Sequence, residues 1–114
     1  MPTEATYTGT PLAERLAALP AWSEHEGAIR RVYETDGWPT TLMLVNLIGF
    51  LAEAADHHPD LSVSWSRVEV RLNTHSASGI TDKDLQLADV IERQALWRPK
   101  AGALAGTKKK WISS

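Results

Sequence analysis

The residues best suited to chemistry crowd into one stretch of the chain. Glu53, His57, His58 and Pro59 close a long apolar run, and His75 and Asp84 follow soon after. Histidine titrates near pH 6.5, so it can give or take a proton close to neutrality. Pro59 cannot continue a helix, so His57 and His58 are expected to project from a helix end. There the negative end of the helix dipole, and Glu53 one turn back, favour the protonated ring. Three readings follow from residue type alone: acid–base catalysis, a three-histidine metal site, or surface and capping histidines with no chemistry. The spacings fit no His-Glu-x-x-His zinc pattern, and adjacent histidines point apart unless the helix unwinds. Asp84 could orient one of the imidazoles.

The elements that must position these groups are legible in outline. Residues 1–9 carry no periodic apolar pattern and read as a flexible arm. Thr10-Pro11 predicts a helix start, a hydroxyl cap before a first-turn proline, with Leu12, Leu16 and Leu19 along one edge and Pro20 ending it. From Trp22 to Thr35 a hairpin is expected, its turn within 23–27 and Trp22 on its first strand; helical spacing of Ala28, Arg31, Val32 and Thr35 is the rival. Thr40 to His57 predicts one long, largely buried helix. Leu61, Val63 and Trp65 are apolar at odd positions, whereas Val68, Val70 and Leu72 are apolar at even ones. That switch across Ser66-Arg67 predicts a tight hairpin with Trp65 in the core and His75 just past the second strand.

Thr81-Asp82-Lys83-Asp84 opens a last helix, with a capping hydroxyl and two acids where the dipole is positive. Leu87, Ala88, Ile91 and Ala95 form its inward stripe, and Arg98-Pro99 ends it. The order α-β-β-α-β-β-α predicts an α+β two-layer sandwich over residues 10–97, a four-stranded antiparallel sheet with helices on one face. Residues 98–114 form a basic tail without period, expected to be disordered, with contact of Lys108-Lys109-Lys110-Trp111 to an anionic partner or nucleic acid as an alternative. Its Trp111-Ile112 pair is the exception, apt to dock on the body or on a neighbouring subunit.

The formal net charge of −2 hides an asymmetry. Residues 1–97 carry 7 basic and 14 acidic side chains, while the tail holds five basic residues and no acid. An acidic body argues against nucleic acid as a partner, because phosphate affinity needs cations on the docking face. The chain has no cysteine, so disulfides and cysteine-based metal sites are excluded, which points to the cytoplasm. With no apolar run approaching 18 residues and no signal-like N-terminus, neither a membrane span nor secretion is expected.

One resemblance narrows the chemistry. Glu53, three residues, His57-His58-Pro59, five residues, Trp65, nine residues, His75, eight residues and Asp84 is similar to the signature of the pterin-4a-carbinolamine dehydratases. The phrase THSASGITDKDLQLADVIE resembles that family's final loop and helix, and similarity reaches back to Trp22, covering about residues 10–97. The first hairpin is about two residues shorter than is usual there, and Tyr33 and Thr35 stand where phenylalanines are usual. The resemblance implies dehydration of 4a-hydroxytetrahydropterin to quinonoid dihydropterin, in support of pterin recycling, with no metal and no cofactor beyond the pterin substrate. It implies His57 and His75 as the first acid–base pair, with His58 a third catalytic group that binds or polarises the pterin or shares the proton work. By the same carry-over Glu53 holds the histidines or the ring, Asp84 orients His75, and Trp22 either stacks on the pterin or packs the core. It further implies a homodimer or homotetramer and a pterin-dependent aromatic amino-acid hydroxylase in the same pathway. The alternative is a non-catalytic dehydratase-like binding protein, a dimerisation cofactor of a transcription factor or a Rubisco assembly factor; a pure scaffold has no need of three placed imidazoles.

Overall fold

In the computed structural model, which describes residues 5–109 and 111–113, three helices cover one face of an antiparallel sheet. The elements run α1 (Gly9–Leu16), β1 (Ser23–His25), β2 (Ala28–Thr35), α2 (Trp38–Ala55), β3 (Asp60–Ser64), β4 (Arg67–Leu72), a 3₁₀ turn (His75–Ala77), α3 (Asp82–Ala95) and β5 (Ile112–Ser113). The strand order is β1-β2-β4-β3, with β5 joining β2 beyond β1. The expected α+β sandwich is therefore present, and its sheet carries a short fifth strand.

Alternation builds the core. Ile29, Arg31 and Tyr33 of β2 face the helices together with Val68, Val70 and Leu72 of β4, in a register that pairs Ile29 with Leu72 and Tyr33 with Val68. Leu44, Ile48 and Ala52 of α2 and Leu85, Ala88 and Ile91 of α3 close over them. Each fully buried aliphatic side chain here contributes about 1.5–3 kcal/mol of transfer free energy.

Several expectations need correction. The first helix begins at Gly9, one residue before Thr10, and ends at Leu16. The first hairpin turns on Glu26-Gly27, both with left-handed φ (50° and 77°), the two-residue turn whose twist matches the strands; Trp22 immediately precedes its first strand. Helix α2 starts at Trp38 because Pro39 suits a first turn, and it stops at Ala55, before the histidines. Nor is α2 largely buried: Leu42, Met43 and Phe50 lie on an exposed face. With 18 residues of mean hydropathy 1.3 it is also long and apolar enough to cross a membrane by length and composition, contrary to the sequence expectation. Its buried stripe Leu44–Ile48–Ala52 packs instead on the sheet and α3. Trp65 is not in the core. It occupies the β3–β4 turn, 67% exposed, where parity no longer governs.

Both ends are more engaged than their composition suggests. Residues 1–4 of the expected arm lie outside the described residues, but Tyr7 donates its backbone N–H to Ile80 O (2.8 Å). The tail returns to the body: Thr35 pairs with Ile112 and Glu34 with Ser113, and Asp36 N donates to Trp111 O (3.0 Å). Arg98 stacks over the Trp111 ring at 5.7 Å. Lys110, the last of the lysine run, and Ser114 lie outside the described residues.

Candidate active site

The end of α2 delivers the histidines. Asp56 adopts a left-handed conformation (φ 52°, ψ 42°), its N–H bonding Glu53 O, and the next N–H, of His57, turns back onto Ala52 O at 3.1 Å. This pair of bonds is a Schellman closure with aspartate in the place usually held by glycine. It reverses the chain within one residue, so His57 and His58 leave on a non-helical segment, where neighbouring side chains are free to diverge. They do diverge: His57 turns inward and is 13% exposed, whereas His58 points outward.

His57 Nε2 lies 2.6 Å from Asp84 Oδ1. Asp84 is fully buried, and its other oxygen, Oδ2, accepts from the Thr74 hydroxyl and from the Thr81 backbone N–H, each at 2.8 Å. The Thr74 hydroxyl has one hydrogen and spends it on Asp84, so the Thr81 hydroxyl, 2.7 Å away, donates to Thr74 Oγ1. Thr81 Oγ1 in turn accepts from Lys83 N–H at 3.2 Å. Thr81 and Asp84 thereby form a capping box at the start of α3. A carboxylate that already accepts two hydrogen bonds presents an acceptor to His57. Nε2 therefore carries a hydrogen, and in the neutral ring Nδ1 keeps the lone pair.

This geometry revises one assignment and specifies another. Asp84 orients His57 rather than His75, because Asp84 reaches across to the segment after α2. Glu53, expected to hold the histidines or the ring, lies 2.8 Å from His58 Nε2, and both partners of that pair are exposed, where an ion pair contributes little. His75 opens the 3₁₀ turn next to Thr74 and is exposed, so the chain that leads from His57 through Asp84 and Thr74 ends beside it. Thr74 is the residue sequence reasoning missed; its place directly before His75 was the available signal. Trp22 is buried, and its indole N–H donates to Glu92 Oε1 (3.0 Å), with no hydrogen bond to the histidine group. His25 is exposed at the end of β1. Among the described residues no group of three or more His, Asp or Glu side chains is arranged to hold a metal ion.

A cavity of about 390 Å³ opens beside His57, lined also by Leu51, Ala54, Lys83, Gln86 and Val90. That volume falls in the range of small-molecule sites, roughly 300–1,000 Å³. A larger one, about 840 Å³, lies at the other end of α3 between Glu92, Trp97, Lys100 and Leu104, and none of the histidines lines it.

A second polar cluster lies inside the core. Glu92 accepts from Arg31 Nε (2.8 Å), Arg31 Nη2 (2.9 Å), Tyr33 OH (2.7 Å) and Trp22 Nε1. Arg31 is 3% exposed, and its guanidinium lies 4.1 Å from the Tyr33 ring centre. Burial alone would raise the Glu92 carboxyl, but the hydrogen bonds from Arg31 and Tyr33 outweigh it and hold the group below the ordinary glutamate range. Burial, and then Glu92 itself, push the Tyr33 phenol well above its usual range, so it remains a donor.

Comparison with known proteins places residues 5–94 on the family model described as pterin 4 alpha carbinolamine dehydratase. A protein of Chloroflexus aurantiacus named "Putative pterin-4-alpha-carbinolamine dehydratase" is 42% identical over 81 residues, which span 71% of this chain and 87% of that protein. A protein of the same name from Aquifex aeolicus is 46% identical over 77 residues, 68% of this chain and 78% of the relative. The crystal structure of a transcriptional coactivator/pterin dehydratase from Brucella melitensis superposes with a TM-score of 0.75 at 30% identity, covering 80% of this chain and 99% of that one.

Proposed function

The chain belongs to the pterin 4 alpha carbinolamine dehydratase family, and from that premise we propose that it is a hydro-lyase acting on 4a-hydroxytetrahydropterin, with His57 as the central acid–base group. The observation that carries this reading is the His57–Asp84 pair, in which a fully buried carboxylate holds Nε2 and leaves Nδ1 free to exchange a proton. In the reaction the C4a–O bond breaks and its electron pair leaves with the oxygen, which takes a proton and departs as water. The N5–H bond breaks as well; its electron pair becomes the second bond of C4a=N5, and the proton goes to a base. One group must therefore donate a proton and another accept one, each contributing about 10²–10⁴-fold.

His57 Nδ1 takes the N5 proton, and the resulting imidazolium is stabilised by Asp84, as a carboxylate stabilises histidine in hydrolase triads. His75 is the acid for the leaving oxygen. His58, held by Glu53, contacts the ring. Pterin-dependent hydroxylation of an aromatic amino acid supplies the substrate. The test adds purified protein to such a hydroxylase reaction and follows decay of the 4a-hydroxy intermediate by its pterin absorbance. Catalysed decay is the expected result, and an uncatalysed rate with folded protein removes the reading.

The exposed apolar row Leu42, Met43 and Phe50 on α2 supports a homo-oligomer built through that helix. Sedimentation is expected to show a dimer or tetramer, and Phe50→Glu, at a position 70% exposed, to yield a smaller species with unchanged helix content. A wild-type monomer at micromolar concentration contradicts this assembly. The name of the Brucella structure pairs dehydratase with transcriptional coactivator; a non-catalytic binding role is the alternative for this chain, and it predicts no loss of function on removing the histidines.

A further inference from the structure

The loop that carries His75 and leads into Asp84 is held from outside by the N-terminal arm. Within the loop, Thr74 and Gly79 form a bridge (Thr74 N–H to Gly79 O 2.8 Å, Gly79 N–H to Thr74 O 3.3 Å) that closes the 3₁₀ turn of His75. Across it lies the segment before α1. Tyr7 N–H donates to Ile80 O (2.8 Å), and Tyr7 OH donates to Asp82 Oδ1 (3.0 Å). Arg15 Nη1, from the second turn of α1, donates to the same Asp82 oxygen (2.6 Å) and to Tyr7 OH (3.0 Å). The guanidinium also sits 5.1 Å from the Tyr7 ring centre. Thr6 packs closely on Gly79: a side-chain carbon there would lie 3.2 Å from the threonine methyl, which would have to give by a few tenths of an ångström.

The geometry points to a clamp, Tyr7–Arg15–Asp82, that positions the His75 loop and the start of α3 for the dehydration proposed above, an inference that rests on that reading. Tyr7 and Arg15 touch none of the proposed reacting groups. They act through Gly79, Ile80 and Asp82, the stretch between the Thr74–Gly79 bridge and the Thr81–Asp84 capping box. That stretch sets where His75 stands relative to Asp84 and hence to His57. The clamp's groups are largely exposed (Arg15 41%, Asp82 55%), so each bond adds little to global stability; what they restrict is local opening of one loop. Small displacements at a catalytic group cost rate far more than they cost stability.

The test compares Tyr7→Ala, Arg15→Gln and the conservative Tyr7→Phe in the full chain by steady-state kinetics and amide hydrogen exchange. Tyr7→Ala and Arg15→Gln are expected to lower kcat about tenfold with KM within about twofold, since the loss is one of positioning rather than of binding. Exchange at Thr74 and Gly79 is expected to accelerate about tenfold while β2 and β4 amides keep their rates. Tyr7→Phe keeps the ring against the Arg15 guanidinium but loses the hydroxyl that bonds Asp82 and Arg15, so its rate is expected to fall between those of Tyr7→Ala and the wild type. Wild-type kcat in Tyr7→Ala, or exchange that accelerates equally throughout the core, overturns the clamp. A wild-type protein without dehydratase activity defeats the functional reading instead, and the exchange rates still decide whether the clamp exists.

Discussion

Replacing His57 with alanine is expected to lower kcat for dehydration of 4a-hydroxytetrahydropterin by about 10²–10⁴-fold, the span of a general acid–base group. KM should change little, because the lost interaction is made by the proton in flight rather than by the bound ring. The fold should survive: Asp84 keeps its bonds from Thr74 and Thr81, and α3 keeps its cap. Asp84→Asn provides the second arm. Its amide can still accept from Thr81, but it then presents N–H to His57 Nε2, which drives the hydrogen to Nδ1 and removes the base. A loss approaching that of His57→Ala is expected, together with a changed pH–rate profile. His75→Ala should cost at least about tenfold as the partner acid. Unaltered kcat in His57→Ala would remove the assignment, whatever the other variants do.

The largest expected effect on stability lies elsewhere, at Glu92. Glu92→Ala would leave Arg31, 3% exposed, as an unpaired buried cation and strip acceptors from Trp22 and Tyr33. Losing one partner of a buried, hydrogen-bonded pair costs about 3–5 kcal/mol, which for a domain of this size lowers Tm by more than about 10 °C. Urea or thermal denaturation measures it directly. The pair also sets an acid limb. Glu92 titrates below its unfolded value of about 4.3, so its contribution is complete above that pH and is lost as pH falls through the lower folded value. Glu92→Gln should therefore flatten the decline in stability below about pH 4.3. An equally stable Glu92→Ala protein would mean that the cluster contributes nothing net.

Where periodicity governed, the fold could be read in advance. The α3 stripe Leu87–Ala88–Ile91–Ala95 and the even-numbered valines of β4 are buried as their spacing demands. Three features were hidden for physical reasons. Trp65 followed the parity of Leu61 and Val63, but parity ends where a strand turns, and the turn took Trp65 and Ser66. Arg31 and Glu92 each occupy inward positions, between Ile29 and Tyr33 and beside Ile91; charge alone suggested the surface, and only knowing that β2 and α3 face each other makes them partners. The tail has no period because a two-residue strand borrows its order from the edge of β2 rather than from its own pattern. At the candidate site, the set of groups was visible in the sequence while their pairing was not. Asp84 chose His57 because the left-handed Asp56 swings that ring inward, a single dihedral that residue types do not announce.

Asp84 performs two jobs with one carboxylate, closing the capping box and holding His57, and this bears on how descendants of such a chain would drift. If selection for catalysis were relaxed, the three histidines could change freely, whereas losing the aspartate would also fray the helix that covers the sheet. A lineage that kept the scaffold and abandoned the reaction would still carry it. In chains of this kind the aspartate would mark the architecture, and under the proposed reaction the histidine it holds would mark the chemistry.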